Sequence, residues 1–123
     1  MAVVPEGVEK IDNYAFQNCS VLQSVNIPDT VTMIGGYAFQ NCSALRSLTI
    51  PAGVTSMGNY ALHNLGSLKA LHFKSATPPA ASAANTFGAL PTDCVIYVPT
   101  GKLSAYTSAQ YYPNSSSYTY VVE

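Results

Sequence analysis

Pro5, Pro28 and Pro51 lie 23 residues apart, and everything between them keeps that register. Val8, Val31 and Val54 align, as do Ile11, Ile34 and Met57, and then Tyr14, Tyr37 and Tyr60. Ala15, Ala38 and Ala61 follow, then Phe16, Phe39 and Leu62, then Asn18, Asn41 and Asn64, then Cys19, Cys42 and Leu65. Leu22, Leu45 and Leu68 close each unit with Val25, Leu48 and Leu71 and with Ile27, Ile50 and Phe73. A repeat this short cannot bury its own apolar side, so consecutive units must stack as coils of a solenoid. Val25-Asn26-Ile27 and Leu48-Thr49-Ile50 alternate apolar and polar residues, the period of a half-buried strand. Val31-Thr32-Met33-Ile34 reads as a second short strand, with Gly35-Gly36 turning the chain after it. Tyr37 to Cys42 reads as a single helical turn.

A fourth, degenerate unit emerges from Phe87, which precedes Pro99 by 12 residues as Phe16 precedes Pro28. Leu62 to Phe87 spans 25 residues, which places a two-residue insertion near Thr77-Pro78-Pro79. Those prolines lack backbone donors, so the short strand of that coil is expected to be lost. Three segments result: repeats over 1–73, the degenerate repeat over 74–99, and a carboxyl-terminal cap over 100–123.

Ile27-Pro28, Val31-Thr32-x-Ile34-Gly35, Ala38-Phe39-x-x-Cys42-x-x-Leu45 and Leu48-Thr49-Ile50-Pro51 resemble the BspA-type leucine-rich repeat. The resemblance is close over about 3–73 and loose over 85–99, with Leu62 and Leu65 standing where the pattern has Phe and Cys. Cys94 to Pro99 followed by Lys102 to Tyr106 resembles the terminal module of related bacterial surface proteins. It implies a leucine-rich-repeat solenoid of short parallel β-strands, turns and single helical turns, closed by a cap containing one α-helix. The family also implies a non-catalytic adhesion or ligand-binding module at the cell surface or outside the cell, with a host or microbial protein or glycan as partner. A structural spacer within a longer surface protein is the alternative, and an enzyme comes third.

Charged residues make up only 9% of the chain, against about 25% in ordinary soluble domains, and the net charge is −1. Such a surface does not gather phosphates, which argues against nucleic-acid partners. No apolar run reaches the length of a membrane-spanning helix, and Met1 to Pro5 lacks the basic start and apolar core of a signal peptide. No metal, cofactor or catalytic residue is assigned. Three cysteines without a C-x-x-C pair fall short of a zinc site, and repeat-equivalent Cys19 and Cys42 read as free packing residues. His63 and His72 fall at variable places expected to be exposed, and a dyad of either with Cys94 lacks an orienting partner. Asn18-Cys19-Ser20 and Asn41-Cys42-Ser43 match the glycosylation sequon but arise from the repeat, so a turn-stabilising Asn explains them better.

Two candidate binding surfaces remain. Stacking aligns Tyr14, Tyr37 and Tyr60 into an aromatic ladder beside Gln17, Gln40 and His63. Tyrosine supplies rigid contact area with one polar end, although the same rings would shield neighbouring coils. The strand ladder points Ser24, Asn26, Ser47, Thr49, Ala70 and His72 outward as a small, polar, nearly uncharged strip.

In the carboxyl-terminal segment Leu103, Tyr106, Ala109 and Gln110 recur at helical spacing, with Thr100 as the candidate cap, and Tyr118 to Val122 reads as a closing strand. At the other end Ala2 and Val4 take the places of Val25 and Ile27, with no covering segment ahead of them. This predicts either the carboxyl-terminal fragment of a longer repeat protein or a homodimer through the uncapped first coil.

Overall fold

A computed structural model describes all 123 residues as a parallel β-solenoid of about five turns. Each coil contributes two short strands. One series comprises β1 (Ala2–Val3), β3 (Val25–Asn26), β5 (Ser47–Ile50), β7 (Ala70–Phe73), β9 (Val95–Val98) and β10 (Thr119–Val122). The other comprises β2 (Lys10–Ile11), β4 (Met33–Ile34), β6 (Ser56–Met57) and β8 (Ala80–Ala81). Every pairing is parallel, and Ile11, Ile34, Met57 and Ala81 stand in one row. Leu48, Ile50, Leu71, Phe73, Ile96 and Val98 turn inward from the first series and form the core with Phe39, Leu45, Leu62 and Leu68. The coils approach so closely that a Cβ on Gly58 would overlap the backbone of Gly35 and Gly36.

The segment from Tyr37 to Cys42 is a run of turns, not the helical turn expected. Ala38, Gln40 and Cys42 N–H groups donate to Gly35, Tyr37 and Phe39 carbonyls and close turns within the coil. Tyr37, Phe39 and Asn41 N–H groups donate instead to Asn59, Ala61 and His63 of the next coil, at 2.9–3.1 Å. A helix would aim all its donors along its own axis and leave none for the neighbouring coil. The alternation requires left-handed backbone at Tyr37 (φ 60°) and Asn41 (φ 62°). Only the fourth coil holds a 3-10 turn, at Ala84–Phe87.

Four further expectations are corrected. The short strand after Pro78-Pro79 survives as β8, because the prolines precede the pairing site and Ala80 N–H reaches the Thr55 carbonyl at 2.9 Å. One inserted residue enters before Ala81 and the other between Ala81 and Phe87. The outer strand series is interrupted: Arg46 N–H meets the Gln23 carbonyl at 3.3 Å, but β3 and β5 belong to separate sheets. Thr100 does not cap α1 (Leu103–Thr107), because its hydroxyl donates to the Glu123 carbonyl. The helix is shorter than its spacing suggested, since Ser108 Oγ bonds back to the Ser104 carbonyl and Tyr111 turns left-handed at φ 70°.

The cap is itself a last rung. Strand β10 pairs with β9 through Thr119↔Val95 to Val122↔Val98. Beneath it Tyr106 and Tyr112 pack against Phe73 and Phe87. At the opposite end Val8, Ala15, Phe16, Cys19 and Leu22 keep solvent contact, whereas Val31, Ala38, Phe39, Cys42 and Leu45 one coil later have none. No helix is long and apolar enough to cross a membrane.

Candidate functional site

The turn side of the first three coils carries the tyrosine ladder. Tyr14, Tyr37 and Tyr60 all sit in left-handed backbone (φ 65°, 60° and 58°), a conformation bulky side chains rarely take. Tyr14 N–H donates to Gly36 and Tyr37 N–H to Asn59, which fixes each ring's root. The rings stack at 5.0 Å and 4.8 Å with 16° and 13° between planes, and His63 meets Tyr60 edge-on at 4.9 Å. Tyr37 is therefore covered on both ring faces, whereas Tyr14, at the exposed end of the row, is stacked on one face only. No protein atom bonds any of the three hydroxyls, and none is sealed from solvent.

Two amide rows run beside the rings. Gln17 Nε2 donates to Gln40 Oε1 at 2.7 Å, and Gln40 Nε2 lies 3.4 Å from His63 Nδ1. Asn64 Nδ2 donates to Asn41 Oδ1, and Asn41 Nδ2 to Asn18 Oδ1, both at 2.8 Å. Asn41 thus uses its sequon nitrogen to tie coils together. Residues 13–18, 36–41 and 59–64 contain no Asp, Glu, Lys or Arg. His63 is half-buried, not exposed as expected, because the next coil covers its ring at Gly88.

The strand face is a different environment. Ser47, Thr49, Ala70 and His72 share one sheet with Val95, Tyr97, Thr119 and Val121, while Asn26 pairs away in the two-stranded sheet with β1 and Ser24 just precedes β3. Tyr97 extends this row one rung past His72, and the alternation of Val95-Ile96-Tyr97-Val98 is its signal in the sequence. His72 is half-buried, its ring stacked on Tyr97 at 4.5 Å. Glu123 Oε1 lies 2.8 Å from His72 Nδ1 and accepts from Lys74 Nζ at 3.1 Å, and these contacts hold its carboxyl below the usual carboxylate range. The Lys69–Asp93 ion pair joins residues just ahead of β7 and β9 and lowers the Asp93 carboxyl in the same way. Charged residues thus line the margin of this face, beside the uncharged Ser47, Thr49 and Ala70.

The cysteines pack. Cys42 Sγ donates to the Phe16 carbonyl, and burial pushes the Cys42 and Cys94 thiols up to about 11. Four of the five cap tyrosines are equally committed: Tyr106, Tyr112, Tyr118 and Tyr120 hydroxyls donate to Ser75, Pro79, Leu90 and Pro113 carbonyls at 2.6–2.7 Å, while Tyr111 is exposed. Burial pushes Tyr106 and Tyr120 up to about 12 and Tyr112 higher still.

The model of the BspA-type leucine-rich repeat region matches residues 2–84. This chain belongs to that family. The BspA-type repeats therefore account for all three coils that carry the tyrosine and amide rows, whereas the cap lies beyond the matched region. A leucine-rich repeat protein from Bacteroides ovatus has the same fold, with a TM-score of 0.71 and 21% identity over the whole chain. The pneumococcal vaccine antigen PcpA matches 98% of the chain with a TM-score of 0.64 and 22% identity. The BspA-type chain spans 30% and 35% of those two structures. No curated protein matches it.

Proposed function

We propose that this chain is a non-catalytic recognition module of a cell-surface or extracellular protein. It holds an uncharged protein or glycan ligand on its tyrosine–amide face. The observation that carries this reading is a contrast among tyrosines. Four cap hydroxyls are consumed by backbone carbonyls, while the three hydroxyls of Tyr14, Tyr37 and Tyr60 are left to solvent in a rigid row. Stacking fixes the rings beforehand, so a ligand meets side chains whose freedom is already lost. Membership of the BspA-type family and a fold shared with a protein described as a vaccine antigen support the surface location. The test is an array of glycans and purified matrix proteins probed with the chain and with its Tyr14→Phe, Tyr37→Phe, Tyr60→Phe variant. Capture that the triple variant loses supports the reading; no capture by either protein overturns it.

One observation favours a second reading, a spacer within a longer surface protein. The ring faces are spent on each other and the amides on neighbouring coils, as packing alone would require. Replacing the three tyrosines with Ser would then lower the melting temperature steeply and alter no binding.

A further inference from the structure

We infer that the ligand of the tyrosine–amide face is a linear, uncharged polysaccharide lying along the solenoid axis, one sugar ring to each coil. This rests on the recognition reading above and names its ligand class. The inference comes from the repeat distance of the surface. Tyr14, Tyr37 and Tyr60 present free hydroxyls on rings spaced 5.0 Å and 4.8 Å, and the Gln17–Gln40–His63 and Asn18–Asn41–Asn64 rows repeat on the same coils. Each coil therefore offers one phenol edge and two side chains with nitrogen or amide groups, at constant pitch and without a fixed charge from Asp, Glu, Lys or Arg.

A ligand that uses every rung must repeat at the same interval. An extended peptide returns a side chain to the same side every ~6.6 Å, so along this axis it falls out of step by roughly 1.7 Å at every rung. A chain of β-1,4-linked pyranose rings advances by about one rung per ring. Successive rings turn over, so the same edge returns at every second rung, but both edges carry hydroxyls that donate and accept, and every ring stays in step with a coil. Phenol hydroxyls, which also do both, and amides with a remaining N–H or lone pair are suited to such groups. Flat stacking of a sugar on an aromatic face is open only at Tyr14, the end of the row; along the row the ring faces are occupied and recognition runs through edges. Lack of charge excludes the electrostatic capture that an anionic polymer would use.

Isothermal titration of the purified chain with cello-oligosaccharides of one to six rings tests the inference, with heparin oligosaccharides and an extended neutral peptide for contrast. Affinity is expected to rise steeply up to about three rings, one for each tyrosine rung, and to change little with salt. The Tyr14→Phe, Tyr37→Phe, Tyr60→Phe variant keeps the stack and loses only hydroxyls. It should retain its melting temperature and bind the three-ring ligand about tenfold or more weakly. A single ring binding as well as three, undiminished binding by the triple variant, or binding of heparin alone would overturn the inference. Should no oligosaccharide bind while a matrix protein on the array is captured through the same hydroxyls, the ligand class is wrong and recognition stands. Should neither bind, both fall.

Discussion

Ala89 stands one coil beyond Asn64 in the same left-handed backbone, φ 57° against 60°, because Asn64 N–H donates to Gly88 as Asn41 N–H donates to His63. The asparagine row ends there: Asn64 Nδ2 reaches back to Asn41, and Ala89 carries no amide to reach Asn64. Asn tolerates this conformation better than Ala, and the missing amide would complete another coil-to-coil bond. Ala89→Asn should therefore stabilise the chain by about 0.5–1.5 kcal/mol, read as a higher urea midpoint at unchanged slope.

Thiol reactivity should follow burial. At neutral pH Cys42 and Cys94, with thiols pushed up to about 11, should resist alkylation in the native chain, while half-buried Cys19 reacts. Denatured protein should show three free thiols, and mass spectrometry detecting a Cys19–Cys42 bridge would contradict the packing assignment. Cys42→Ala should cost about 1–2 kcal/mol through the gap it leaves between coils.

The cap should loosen in alkali. Tyr106 and Tyr120 have folded pKa values raised to about 12, above the ordinary value near 10. A raised folded value means that their stabilisation is complete below about pH 10 and lost as pH climbs towards 12. Melting temperature should fall across that window, and absorbance titration should show these phenols ionising with the loss of structure. Tyr118→Phe, which leaves the buried Leu90 carbonyl without its 2.7 Å donor, should cost about 1–3 kcal/mol at neutral pH.

The opposite sign holds for Glu123. Its carboxyl lies below the usual range because His72 and Lys74 bond it, so its contribution is present above the ordinary carboxylate pKa and lost as pH falls through the folded one. Glu123→Gln should remove that acid-side dependence and speed amide exchange of Val121 on the edge strand, measured by NMR.

Most of the architecture was legible because a period leaves traces at every position. Ile11, Ile34 and Met57 announced one strand row, and Val25, Leu48 and Leu71 the other, since an inward residue must recur wherever the coil returns. What escaped notice has no such recurrence. Left-handed Tyr37 is invisible because nothing in a tyrosine advertises positive φ; the requirement comes from the neighbouring coil's carbonyls. Strand β8 was hidden behind Pro78-Pro79, residues that argue locally against pairing although the pairing begins just after them. The tyrosine ladder was expected from register alone, but its free hydroxyls became visible only against the bonded ones of the cap, a comparison that needs coordinates.

Alternating donors in the turn segments also set how the chain responds to tension. Tyr37, Phe39 and Asn41 N–H groups point to the following coil, roughly along the line on which the coils stack. Force applied between the two ends pulls on those bonds one coil at a time, so the load is borne by a single seam. Extension would proceed as successive rips, each paying out one 23-residue coil, or about 75 Å of contour. A protein built this way yields gradually and lengthens under strain, as a shock-absorbing tether does.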